Sequence, residues 1–184
     1  MSFFKGMVMK QLIIDKLYEY NMIKFGDFIL KSGQKSDIYI DVRSAISYPD
    51  LFKIICDTYC EIIRKFDFKF ICGIAYSALT FASVVAYKEN IPMLLKRKEI
   101  KDYGTRKIIE GDYHKNDTCI IIEDVITTGS SVIDTINILE ENGIKVTNIV
   151  SLIDRQQGGV ELLKDKGYSV EAIISLQEIY ELLK

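Results

Sequence analysis

The sequence predicts an α/β fold: an open, mostly parallel sheet with helices on both faces. Short apolar runs alternate with amphipathic stretches along the chain, as repeated strand–helix units do. One run, Thr118 to Ile122, is apolar and rich in β-branched residues, as suits a central strand covered on both faces. At 184 residues the chain has the size of one domain that can bury its own core.

Lys10 to Met22 reads as the first helix. Asp27 to Leu30 and Asp37 to Val42 read as short strands flanking Ser32-Gly33. Ser47-Tyr48-Pro49-Asp50 looks like a helix start, and Leu51, Ile54, Ile55, Tyr59, Ile62 and Phe66 then recur at helical spacing. Phe70 to Ile74 is a buried strand, Ser77 to Tyr87 a helix and Met93 to Leu95 a strand. After the central strand, Val132, Ile133, Ile136 and Leu139 mark a helix that Gly143 stops. Lys145 to Ile153 is a strand, Gly159 to Lys166 a helix and Val170 to Ile174 a strand. Ser175-Leu176-Gln177-Glu178 fits a capping box for the last helix. Sites in such sheets lie beyond the carboxyl ends of the strands.

Apolar residues make up 48% and charged residues 27%, both near the globular average. Lys+Arg is 24 and Asp+Glu is 26, a net charge of −2, so a general nucleic-acid coat protein is excluded and no nucleic-acid partner is expected. No apolar run is long enough to span a bilayer, and Met1 to Lys10 lacks the apolar core and cleavage site of a signal peptide, so a cytoplasmic protein without a membrane partner is expected. The four cysteines, Cys56, Cys60, Cys72 and Cys119, form no CxxC and read as buried, reduced thiols. With His114 the only histidine, a zinc site is poorly supplied and no residue is assigned as a metal ligand. Ser-His-Asp or Cys-His chemistry would need His114 as its base.

The sharpest signal is Glu123-Asp124-Val125-Ile126-Thr127-Thr128-Gly129-Ser130-Ser131, directly after the central strand. The strand delivers two acids to the edge of the sheet, and a hydroxyl-rich loop with one glycine then opens a helix. Backbone N–H groups of Thr128 to Ser131 make an anion cradle. The Thr and Ser hydroxyls add donors, and Gly129 permits the tight turn. Carboxylates suit a diol, whose hydroxyls donate to them, but not a bare phosphate. Cradle and acid pair together read as a site for a ribose 5-phosphate. An ordinary capped helix needs neither the paired acids nor so many hydroxyls. No GxxxxGK[ST] or GxGxxG is present.

A second signal is the basic stretch Lys96, Arg97, Lys98, Lys101, Arg106 and Lys107, with Glu99 and Asp102 interspersed. It reads either as a solvated face or as a flexible loop bringing cations to a leaving anion. Arg155, just past an apolar strand, and Lys31 are candidates for holding a carboxylate. Arg155 could instead pair with Asp154 or a nearby acid. Tyr39 has two readings, packing on a flat base or filling the core.

The Glu123 to Ser131 segment resembles the phosphoribosyl pyrophosphate signature of type I phosphoribosyltransferases. Three further segments are similar to the orotate phosphoribosyltransferases. Phe28 to Gly33 with Ile38-Tyr39-Ile40-Asp41 resembles their substrate hood, Arg97 to Gly104 their mobile catalytic loop, and Asp154 to Gly159 their orotate-side turn. The resemblance runs from about Lys10 to the C-terminus. It implies the type I fold as one domain over 1–184, with residues 1–45 forming an N-terminal extension and hood. It also implies transfer of ribose 5-phosphate from phosphoribosyl pyrophosphate to N1 of orotate, and Mg²⁺ held mainly by substrate oxygens and water.

Carried over by position, the resemblance makes Lys101 the mobile catalytic lysine and Glu123 and Asp124 the catalytic acids, with Arg97, Lys98 and Tyr103 on the pyrophosphate. Tyr103 stands where bacterial relatives carry histidine, and Ser77 where they carry lysine. Tyr76 and Ser77 belong to the pyrophosphate loop, and Glu123 to Ser131 to the ribose phosphate. Lys31, Tyr39, Ile40, Thr127 and Arg155 belong to orotate. The resemblance further implies a homodimer with shared sites. It is closest to the version fused to orotidylate decarboxylase in many eukaryotes, so association with a separate decarboxylase is expected. A decarboxylase barrel needs roughly 250 more residues, which would make this chain the unfused half. Two rivals remain open: a purine-salvage phosphoribosyltransferase, which needs no carboxylate reader, and a non-catalytic regulator that binds nucleic acid.

Overall fold

The computed structural model describes residues 3–29, 33, 35–97 and 107–183, the side chains of 3–5 excepted. Helix α1 (Phe3–Glu19) buries Ile13, Ile14 and Leu17 and leads into an antiparallel hairpin, β1 (Ile23–Ile29) and β2 (Lys35–Ile40). A 3-10 turn over Val42–Ser47 follows, and α2 (Pro49–Ile63) begins on a proline, whose missing N–H is no loss in a first turn. Then come β3 (Phe70–Gly73), α3 (Ser77–Glu89), β4 (Met93–Lys96), β5 (Ile109–Glu110), β6 (Thr118–Ile126) and α4 (Ser130–Glu141). The chain closes with β7 (Lys145–Asp154), α5 (Gly159–Asp165), β8 (Ser169–Ser175) and α6 (Leu176–Leu183).

The main sheet has the order β5-β4-β3-β6-β7-β8, parallel except for the β4–β5 pair. The two-residue period of a strand divides its side chains between two cores. Ile120 and Ile122 of β6 pack with Ile71, Val150 and Leu152 under α1, α2, α3 and α6. Cys119 and Ile121 pack on the other face with Cys72 and Ile149 under α4 and α5. All four cysteines are buried and unpaired, as expected. Burial pushes the thiol of Cys56 up to about 12 and that of Cys72 to about 11.

The expected strands and helices are present, with five differences. Strand β2 spans Lys35–Ile40 rather than Asp37–Val42, because the Asp41 side chain accepts from Arg43 N–H and starts the 3-10 turn that takes up Val42. Helix α1 starts at Phe3 rather than Lys10; Met7 and Val8 are exposed, so that turn shows no core-facing period. Strand β1 starts at Ile23 rather than Asp27, across an irregularity between Phe25 and Phe28 that breaks its alternation. Strand β6 runs on to Ile126, so the two acids lie within the strand, with Glu123 opposite Ser151. Strand β5 has only two residues, too few for any pattern to announce.

Gly73 fixes how closely α3 packs on β3. A Cβ there would lie 2.6 Å from Ala82 Cβ and 2.7 Å from the Ala78 carbonyl oxygen. Gly73→Ala should therefore cost about 1–3 kcal/mol of stability as overpacking, read as a lower urea midpoint at unchanged slope.

Candidate active site

The site lies at the carboxyl edge of the sheet. Thr127, Thr128 and Gly129 link β6 to α4, and Gly129 takes φ +79°, a left-handed conformation that glycine adopts without strain. Its carbonyl accepts from Ile133 N–H at 2.9 Å, starting the helix. No side chain caps α4, which leaves its first-turn N–H groups as donors to a ligand. Beneath the turn, Gly159 N–H donates to the Thr127 carbonyl at 3.0 Å. A Cβ on Gly159 would stand 2.4 Å from that oxygen and 2.7 Å from Gly129 N. Gly159 ends the segment that resembles the orotate-side turn, and only the packing reveals that it also supports the cradle.

The two acids have different surroundings. Glu123 is 4% exposed. Its Oε1 accepts from Asp124 N–H at 2.9 Å, its Oε2 from Ser131 Oγ at 3.1 Å, and its backbone carbonyl from Tyr59 Oη at 2.6 Å. Burial, and then the hydrogen bond and charge of Asp124, push its carboxyl well above the ordinary value. Asp124 is half-buried and lines a cavity of about 620 Å³. Its Oδ1 accepts from Val125 N–H at 2.9 Å and its Oδ2 from Ser77 Oγ. The open acid is thus Asp124. The Ser131 hydroxyl is turned to Glu123, and the Ile126 side chain is buried in the core.

The same cavity is lined by Tyr39, Ile40, Val125, Thr127, Thr128, Ser130 and Arg155. Arg155 is 5% exposed, and its Nη2 donates to Ser36 Oγ at 3.2 Å and to the Ile38 carbonyl at 3.3 Å. Burial pulls its pKa below the ordinary value. It does not rely on Asp154, whose Oδ1 accepts from Gln156 N–H at 2.8 Å. Tyr39 lies beside Phe28, with ring centroids 5.5 Å apart, and its hydroxyl donates to Asp41 Oδ2 at 3.2 Å. Asp41 also receives Arg43 Nε at 2.7 Å and Nη2 at 2.6 Å, and both residues line the cavity. Asp41 ends the Ile38-Tyr39-Ile40-Asp41 segment that resembles the hood, whereas nothing in the local sequence marks Arg43 as a cavity residue.

Around the Ser77 end, the Ala75–Tyr76 peptide is cis and Tyr76 is 70% exposed. Arg97 lines a hollow of about 150 Å³ with Ala75 and Ser131, and its Nε lies 3.2 Å from Glu110 Oε1. Lys31, Lys98, Lys101 and Tyr103 lie outside the described residues. His114 precedes β6, at the edge of the sheet opposite the acids, and cannot serve as their base.

Comparison with known proteins agrees with this arrangement. Residues 47–179 match the phosphoribosyl transferase domain family. Uridine 5'-monophosphate synthase of Bos taurus is 40% identical over 174 residues, which are 94% of this chain and 36% of that protein. Orotate phosphoribosyltransferase of Chlamydia caviae is 37% identical over 185 residues, covering 100% of this chain and 89% of that one. The chain thus spans about a third of the bovine relative but most of the chlamydial one. The crystal structure of orotate phosphoribosyltransferase from Aeropyrum pernix superposes with a TM-score of 0.83 at 30% identity, over 93% of this chain and 97% of that one. A β6–α4 cradle of this form, a cavity between an open acid and a buried arginine, and these relatives place the chain in the phosphoribosyl transferase family, among the orotate phosphoribosyltransferases.

Proposed function

We propose that the chain transfers ribose 5-phosphate from phosphoribosyl pyrophosphate to N1 of orotate, releasing orotidine 5'-monophosphate and pyrophosphate in pyrimidine biosynthesis. The observation that carries this reading is one cavity with Asp124 and the uncapped α4 turn on one side and the Arg155 guanidinium on the other. The turn from Thr127 to Ser131 holds the 5-phosphate through N–H and hydroxyl donors. Asp124, steadied by Ser77, accepts from the ribose hydroxyls. Arg155 takes the orotate carboxylate, with Lys31, Thr127, Tyr39 and Ile40 around the base. Arg97, Lys98, Lys101 and Tyr103 receive the pyrophosphate, and Lys101 offsets the charge that develops as it leaves. Residues 1–45 act as extension and hood within a single domain over 1–184.

Mg²⁺ fits as a companion of the substrate. Among the described residues no group of three or more His, Cys, Asp or Glu converges on one point, and a magnesium ion commonly keeps its waters and binds substrate phosphates. When bound, it neutralises the leaving pyrophosphate. A reducing cytoplasm suits the four unpaired thiols. The described residues include no helix long and apolar enough to cross a membrane. The product passes to an orotidylate decarboxylase, a reading supported by the longer synthase relative. A second copy completes each site. Tyr87 is 88% exposed and borders a hollow with Pro92 and Met93, beside β4, which leads into residues 98–106.

Three outcomes test these readings. Mixing orotate, phosphoribosyl pyrophosphate and Mg²⁺ with the protein should produce the absorbance change of orotate consumption; turnover of hypoxanthine or uracil instead would refute the base assignment.

Lys101→Ala and Asp124→Asn homodimers should each be nearly inactive. After subunit exchange at equal concentration, about half the dimers are mixed and one site in each is intact, so about a quarter of full activity should return. A mixture shown by mass to have exchanged, yet still inactive, would mean that the sites are not shared.

The third concerns Glu123. An unfolded glutamate ionises near about pH 4.3, and in the fold this carboxyl holds its proton to higher pH. The folded chain therefore binds the extra proton, and stability falls as pH rises from about 4.3 towards the folded pKa. Glu123→Gln should melt above the parent at about pH 8, with the gap closing towards about pH 4. A constant gap across that range would put the charge elsewhere.

A further inference from the structure

The guanidinium of Arg155 lies between two hollows. In front is the cavity that holds Asp124; behind it is a second hollow of about 740 Å³, lined by Ser36, Ile38 and Tyr180 among others. Its hydrogen bonds to side chain and strand run to Ser36 Oγ and the Ile38 carbonyl, both on β2 of the hairpin and more than a hundred residues away in sequence. Its Nε is buried and has no hydrogen-bond partner among the described residues.

Ser36 itself has no capacity to spare for a substrate. Its hydroxyl donates its one proton to the Ile38 carbonyl at 2.8 Å and accepts from Ile38 N–H at 3.3 Å. A hydroxyl oxygen has two acceptor sites, and the second receives Arg155 Nη2. The strand's own backbone thus locks the hydroxyl in the orientation that accepts from the guanidinium.

We infer that Ser36 is a positioning residue for selection of the base: it fixes the Arg155 guanidinium from behind, so that its remaining N–H groups meet the substrate carboxylate already oriented. The inference rests on the reading of Arg155 as the orotate carboxylate's partner. Arginine carries many rotamers, and holding one of them before binding removes an ordering cost from the complex. No sequence pattern links Ser36 to Arg155. The contact exists only because the hairpin folds over the end of β7.

The test is steady-state kinetics on Ser36→Ala, Ser36→Thr, Arg155→Ala and the Ser36→Ala/Arg155→Ala double variant, with both substrates varied. Loss of one such hydrogen bond should raise KM for orotate roughly three- to tenfold while kcat and KM for phosphoribosyl pyrophosphate stay near the parent values. Ser36→Thr, which keeps the oxygen and suits a strand, should restore KM. In the Arg155→Ala background Ser36→Ala should add nothing. If Ser36→Ala folds poorly by thermal melting, Ser36→Cys, a weaker acceptor of similar size, should give the same split. An orotate KM unchanged by Ser36→Ala while Arg155→Ala impairs it would overturn the positioning role alone, as would additive effects or an equal loss for both substrates. If Arg155→Ala leaves orotate kinetics intact, the reading of Arg155 falls and the positioning role falls with it.

Discussion

A carboxyl group removed from water must be given partners, and Glu123 is removed from water within β6, a central strand of the main sheet. Its partners come from several elements. The Asp124 N–H is local, Ser131 opens α4, and Tyr59 reaches across from α2 to the backbone carbonyl. Ser77, at the start of α3, secures the neighbouring acid. Three helices, α3 and α4 by their first turns and α2 by an interior residue, are thereby tied to two adjacent residues, and the spacing of the cradle, the Ala75–Ser77 turn and the acid edge is set by those ties. A strand's period of two sends neighbouring side chains in opposite directions, so one acid is enclosed while the other stays open to the cavity.

This arrangement sets stability against function. A buried carboxyl with a raised pKa destabilises the neutral-pH fold, and the core beneath it offsets that cost: Ile120, Ile121 and Ile122 are fully buried on alternate faces. The cradle carries a related constraint. It needs an uncapped helix start and a backbone that approaches another backbone closely, and two glycines, Gly129 and Gly159, stand against each other to allow this. Donors that would normally be satisfied by a capping side chain are kept for an anion.

Much of this was legible in the sequence. The order of strands and helices followed from apolar periodicity and from local stop signals. The Ser175–Glu178 capping box forms as read, with Ser175 N–H donating to Glu178 Oε2 at 2.7 Å. The acid pair and the Thr-Thr-Gly-Ser-Ser turn stood out because their chemistry is consecutive in the chain. What could not be read was anything made by contact across the fold. Two-residue β5, the early start of α1 on an exposed face, the burial of Glu123 but not Asp124, and the turning of Ser131 towards Glu123 leave no periodic trace.

Arg155 shows where the division falls. By itself the sequence placed an arginine after an apolar strand, next to an acid, and left both a surface ion pair and a carboxylate reader open. The tertiary structure buries that arginine, pairs Asp154 with backbone instead, and hands the guanidinium to Ser36 and Ile38 of a distant hairpin. Sequence determined the elements and the cradle because helix period, strand period and turn chemistry act over a few neighbouring residues. Only the tertiary structure decided which charges are enclosed and which face a ligand, because desolvation depends on what packs above a group, and that is supplied by residues far away in the chain.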